Sequence, residues 1–125
     1  QEFLEEVRAK LKPNGVVVSN IWSPQVNEYY DAEIKTFQAV FPELYIFRAL
    51  SSGNYIFIAT NQPGKVSQME LENRAERIDR EHNFHFSLEE IIHSTYRYAT
   101  NSPVDAPVLT DDHAPVNVMR WNTRD

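Results

Sequence analysis

The sequence predicts an α/β domain built on one side of an open sheet, and three observations carry that prediction. A β-branched run, Val16-Val17-Val18, precedes a long stretch of helical periodicity and then a second strand-like segment, Leu44 to Ala49. A tight turn, Ser51-Ser52-Gly53-Asn54, leads into a third strand, Tyr55-Ile56-Phe57-Ile58-Ala59-Thr60. A strand–helix–strand succession predicts two parallel strands joined by a crossover, whereas so short a turn forces the last two strands antiparallel.

Residues 1–12 place Phe3, Leu4, Val7 and Leu11 on one helical face, and Pro13-Asn14-Gly15 stops the helix in a turn. The Val16–Val18 run does not alternate, which predicts a strand buried on both faces, as in a parallel sheet. Ser23-Pro24 reads as a helix start, a capping hydroxyl followed by proline in the first turn. Val26, Tyr30, Ile34, Phe37 and Phe41 recur at spacings of three and four as the inner stripe of that helix, which Pro42 ends.

Beyond a linker at Asn61-Gln62-Pro63-Gly64-Lys65, two helices are predicted. Ser67-Gln68-Met69-Glu70 and Ser87-Leu88-Glu89-Glu90 both match the capping-box pattern. Leu71, Ala75 and Ile78 are expected inward in the first, and Leu88, Ile91, Ile92, Thr95 and Ala99 in the second. From Thr100 the chain carries Pro103, Pro107 and Pro115 without periodicity and reads as an extended tail across the domain. The organisation is therefore a partial α/β unit over 1–60, a linker with two helices over 61–99, and a tail over 100–125.

Composition narrows the function classes. The chain of 125 residues is 42% hydrophobic and 24% charged, which suits a folded domain rather than disorder. It has no cysteine, so disulfides and thiolate metal sites are excluded, and a cytoplasmic location is expected. A net charge of -6 with no basic cluster argues against nucleic acid as a partner. An acidic surface suits a cationic ligand such as a polyamine, although acidity also serves solubility. No apolar run in this segment is long enough to span a bilayer. The opening, Gln1-Glu2-Phe3-Leu4-Glu5-Glu6-Val7, lacks Met and reads as the middle of a helix, so a fragment of a longer protein is expected.

Four segments, in order, resemble the C-terminal part of spermidine synthases and their relatives, the polyamine aminopropyltransferases. They are Leu11-Lys12-Pro13-Asn14-Gly15-Val16-Val17-Val18-Ser19-Asn20, then Val40-Phe41-Pro42 with the strand after it, then Ser52-Gly53-Asn54-Tyr55-Ile56-Phe57-Ile58-Ala59, and finally Leu109-Thr110-Asp111-Asp112-His113-Ala114-Pro115-Val116. The resemblance implies a Rossmann-like fold, the class I S-adenosylmethionine-dependent methyltransferase fold, with strand order 3-2-1-4-5-7-6 and strand seven antiparallel. The three strands here would then be five, six and seven. It also implies transfer of an aminopropyl group from decarboxylated S-adenosylmethionine to an amine, without a metal. The family's glycine-rich loop, ribose-binding acid and catalytic aspartates have no counterpart in these residues. The resemblance therefore implies that the chain alone binds no cofactor, holds no catalytic residue and is inactive. A fragment of an S-adenosylmethionine-dependent methyltransferase, or a remnant serving as an oligomeric interaction module, are the alternatives.

Asn20 ends the first strand, where open α/β sheets bind ligands. The resemblance aligns it with a polyamine-facing glutamine, and a polar strand cap is the plainer account. Trp22 and Tyr29 could wall an alkyl amine by cation–π contact, or simply pack the helix entry. Leu50 stands where the family carries a substrate-contacting tyrosine, so putrescine itself is not indicated as the amine. Asp111 and Asp112 beside His113 could hold an ammonium group, and an Asx-type turn accounts for them equally. His82, His85, His93 and His113 fit no standard metal spacing. The strand at Val16–Asn20 would have one unpaired side, so a homo-oligomer through that edge is expected.

Overall fold

The computed structural model describes residues 1–97. The chain runs α1 (Glu2–Lys10), β1 (Val16–Ile21), α2 (Tyr30–Val40), β2 (Glu43–Arg48), β3 (Tyr55–Thr60), α3 (Gln68–Glu81), α4 (Leu88–Thr95) and β4 (Tyr96–Arg97). The four strands form one sheet in the order β1-β3-β2-β4. Every adjacent pair is antiparallel. Because β1 and β2 both oppose β3, they run parallel to one another with β3 between them. The α/β class and the antiparallel β2–β3 pair agree with the sequence reading. The expected tail over 100–125 lies outside the described residues.

One face of the sheet carries the core. Ile21, Leu44, Ile46, Phe57 and Ala59 pack against Ile34, Phe37, Val40 and Phe41 of α2 and its C-cap, and Val17, Leu4, Leu11, Tyr30 and Tyr55 close the margin. Phe57 is completely buried at the centre. The rings of Phe37 and Tyr30 meet it edge-on at 5.5 and 5.7 Å. That geometry sets the positive ring edge against the negative ring face.

The unalternating valines of β1 are not buried on both faces. Val16 and Val18 are 51% and 60% exposed, while Val17 is half-buried and Ile21 is buried. Among the described residues the strand pairs only with β3, so there it is a sheet edge. A β-branched run fits any pleated strand, and it does not report which faces are covered.

The second helix also begins later than its apolar spacing suggests. Ser23 to Tyr29 form turns, with Val26 N–H donating to Ser23 C=O at 3.0 Å. Asn27 fixes this entry: Tyr29 N–H donates to its Oδ1 at 3.0 Å, while its amide donates to Glu33 Oε2 at 2.8 Å. An Asx turn thus competes with the helix and wins, and Val26 is left exposed. The other end is as expected. Phe41 is extended because Pro42 follows and disfavours helical geometry in the residue before it.

Both predicted serine caps are present, Ser67 Oγ accepting from Glu70 N–H at 3.1 Å and Ser87 Oγ from Glu90 N–H at 3.2 Å. The helix expected to reach Ala99 stops at Thr95, because Tyr96 turns extended and pairs with Phe47. That pairing satisfies backbone groups on the edge of β2. It also buries Tyr96, whose ring meets Phe47 edge-on at 5.5 Å. Ile78 and Ile91, expected inward, are 39% and 37% exposed. Helices α3 and α4 pack chiefly on one another, and α4 meets the sheet at β2.

Two glycines are required by geometry. Gly53 has φ +73°, the left-handed region, where the turn returns Gly53 N–H to Ala49 C=O at 3.2 Å. A Cβ on Gly15 would lie 2.7 Å from the Leu11 side chain and 3.1 Å from Lys12 O, so the Pro13–Gly15 turn closes tightly on α1.

Candidate functional site

The carboxyl end of β1 gathers several of the residues singled out in the sequence. Strand alternation puts Asn20 on the same outer face as Val16 and Val18, and it is exposed. Its register partner is Ile56, and that of Ile21 is Tyr55. Trp22 follows at once and is half-buried.

Asn27 organises the loop beyond. Its amide reaches Trp22 O at 3.4 Å and Glu33 Oε2 at 2.8 Å, and its Oδ1 receives Tyr29 N–H. The backbones of Trp22 and Tyr29 are therefore both tied to the side chain of one asparagine. Glu33, on the first turn of α2, is buried, a placement that no sequence signal singled out. The clue was Asn27 six residues earlier, within reach only once the loop folds back.

The Tyr30 ring stands edge-on to Tyr55 at 5.2 Å. Burial pushes its phenol well above the usual value, and Tyr55, Asp31 and Glu33 push it further. The Tyr30 phenol is thus held in its neutral form in the wall of the loop. The arrangement offers an exposed carboxamide, aromatic surface and a buried carboxylate at one strand end. These groups can bind and orient a polar or cationic ligand.

Leu50 lies at the same end of the sheet, in the turn after β2, and is exposed. Asp111 and Asp112, with His113, lie outside the described residues. Among the described residues no cluster of three or more His, Asp or Glu side chains could hold a metal ion. His93 Nδ1 instead meets Glu72 Oε1 at 2.6 Å, joining α4 to α3. His82 Nδ1 contacts Ile78 O at 3.1 Å.

A feature missed in the sequence is a ladder of stacked rings in the loop between α3 and α4. His82 and Phe84 stack at 5.3 Å with planes 4° apart, and Phe84 and Phe86 at 5.0 Å with planes 6° apart. The alternation His82-x-Phe84-x-Phe86 was its signal, since an extended segment puts every second side chain on one side. No helix among the described residues is long and apolar enough to cross a membrane. No protein-family model matches the chain, and no curated protein or solved structure matches it.

Proposed function

We propose that the chain forms the C-terminal part of an aminopropyltransferase domain of the spermidine synthase type, and that it is inactive without a cofactor-binding half. The observation that carries the reading is the strand order. Parallel β1 and β2 separated by an antiparallel β3 correspond to the 5-7-6 arrangement of a Rossmann-like methyltransferase sheet. In that arrangement the open edge of β1 receives a further parallel strand. Asn20 and Trp22 lie where the amine substrate would enter, and Asp111 and Asp112 are assigned to ammonium binding through the resemblance.

The reaction requires an amine nitrogen to attack the methylene carbon beside the sulfonium. The carbon–sulfur bond breaks, methylthioadenosine leaves and the nitrogen gives up a proton. A positioned carboxylate base is central to that step, and it belongs to the half that would bind decarboxylated S-adenosylmethionine.

The test is an assay of the native species, captured from its source cells with an antibody to α3, beside the isolated chain. Each receives decarboxylated S-adenosylmethionine and a panel of amines, with S-adenosylmethionine as a second donor. Aminopropyl transfer by the native species alone is the expected result. Transfer from S-adenosylmethionine only would make it a methyltransferase, and an active isolated chain would defeat the claim of inactivity.

A second reading, an oligomeric interaction module, is favoured by one observation, the unpaired edge of β1 flanked by exposed Val16 and Val18. Exposed apolar edges pair readily with another chain. A native species made only of copies of this chain would select it.

A further inference from the structure

A cavity of about 290 Å³ opens between the outer face of the sheet and α3, at the end of β1 opposite Asn20. Val16, Tyr45, Phe47 and Ile58 form its floor, and Val66 and Leu71 form its far wall. Its size falls near the lower limit of small-molecule sites, which are mostly apolar with a few placed polar groups. We infer that this cavity binds a small amphipathic carboxylate, with the apolar body on the sheet and the anionic head at Tyr45, Lys65 and Arg74.

Three observations assign the sign of the head group. The first is Tyr45, which is 7% exposed. Its hydroxyl oxygen accepts Val66 N–H at 2.8 Å, and its own hydrogen has no acceptor among the described residues. That hydrogen can therefore be donated to an acceptor in the cavity that Tyr45 lines.

The second is local charge. The chain is acidic overall, yet no carboxylate lines the cavity. Lys65 Nζ stands 5.7 Å from the Tyr45 ring centroid and has no carboxylate partner among the described residues. Arg74 lines the mouth and shares a single carboxylate, Glu70, with Arg77, at 3.0 and 3.8 Å. Lys65, Arg74 and Arg77 thus outnumber by one the two nearby carboxylates, Glu70 and Glu43, the latter on the Tyr45 face of the sheet opposite Thr60.

The third is the rim, held before any ligand arrives. Gln62 Nε2 donates to Pro13 O at 3.1 Å and to Asn14 Oδ1 at 2.7 Å, which leaves the Asn14 amide as another donor at the opening. A site already ordered loses less freedom on binding.

The site stands apart from the aminopropyl-transfer reading. Val16 and Asn20 are four residues apart on β1, about 13 Å at the usual strand rise. Neither spermidine nor methylthioadenosine should displace a ligand from the cavity.

Isothermal titration of the full chain with decanoate, and with decanol as its neutral counterpart, tests the proposal. Decanoate should bind one to one, roughly tenfold tighter than decanol, since hydrogen bonds to a charged group outweigh neutral ones by about that factor. Lys65→Gln and Arg74→Gln should each weaken decanoate about three- to tenfold and leave decanol unchanged. Val16→Trp changes an exposed edge position and fills the cavity, so it should abolish both, with its melting curve showing that the fold persists. Absence of saturable decanoate binding, equal affinity for decanol, or undiminished binding by a folded Val16→Trp variant would each overturn it.

Discussion

Phe57 shows how one residue sets the core. It sits on the central strand of the β1-β3-β2 triplet, is fully buried, and has aromatic neighbours from α2 on one side. Phe57→Ala should therefore lower unfolding free energy by about 3–5 kcal/mol, the range for truncating a buried aromatic, as read from urea denaturation. Gly53 makes the opposite kind of contribution. Nothing lies within 4 Å of a Cβ built there, so Gly53→Ala meets no clash, only the left-handed backbone at φ +73°. The expected loss is about 1 kcal/mol in the same measurement, and a neutral or stabilising result would show that the turn relaxes.

At the scale of elements, one carboxylate of α3 closes the start of α4. Asp79 on α3 accepts Leu88 N–H at 2.9 Å, Glu89 N–H at 3.1 Å and the Ser87 hydroxyl at 3.4 Å. It thereby closes the open N-terminus of α4, where a negative charge also suits the helix dipole. Backbone hydrogen bonds from Glu89 and then Leu88 hold its carboxyl below the usual aspartate value. A group whose folded value is depressed adds stability above its unfolded value and loses it as pH falls through the folded one. Wild type should accordingly lose its melting-temperature advantage over Asp79→Asn as the solution is taken from neutrality to below the ordinary carboxylate range. An advantage that stays constant with pH would mean that the carboxylate's charge does not matter there. Ser87→Ala removes the second capping oxygen of the same helix and should cost about 1 kcal/mol at neutral pH, again by urea denaturation.

For the whole molecule, the decisive feature is an unbalanced sheet. Beta-strand β4 partly covers the β2 edge, while the β1 edge has no strand beside it among the described residues. The isolated chain should associate through β1 at micromolar concentration. Light scattering should report more than one chain per particle, and Val18→Lys should return it to one. A charge on an edge strand is a common barrier to pairing, and Val18 is exposed enough to accept it with little loss of stability. A wild-type monomer at that concentration would remove the edge as an interaction surface.

The sequence by itself determined the elements that rest on local chemistry. Proline and glycine set the breaks at Pro13–Gly15, Pro42 and Gly53, and the serine caps set the starts of α3 and α4. A short turn was enough to make β2 and β3 antiparallel. The position of Asn20, Trp22 and Tyr29 about a strand end was legible in the sequence, while the burial of Glu33 was not, since it follows from Asn27 folding back across the loop. Tertiary structure alone decided which faces were covered. The triple-valine run reads the same in a buried strand and in an edge strand, and Ile78 and Ile91 fit a helical stripe whether or not a sheet lies beneath it. The insertion of β3 between β1 and β2, and the early end of α4 at Tyr96, likewise depend on backbone pairing between segments far apart in the chain. Periodicity records the shape of one element, whereas coverage and pairing depend on what stands beside it.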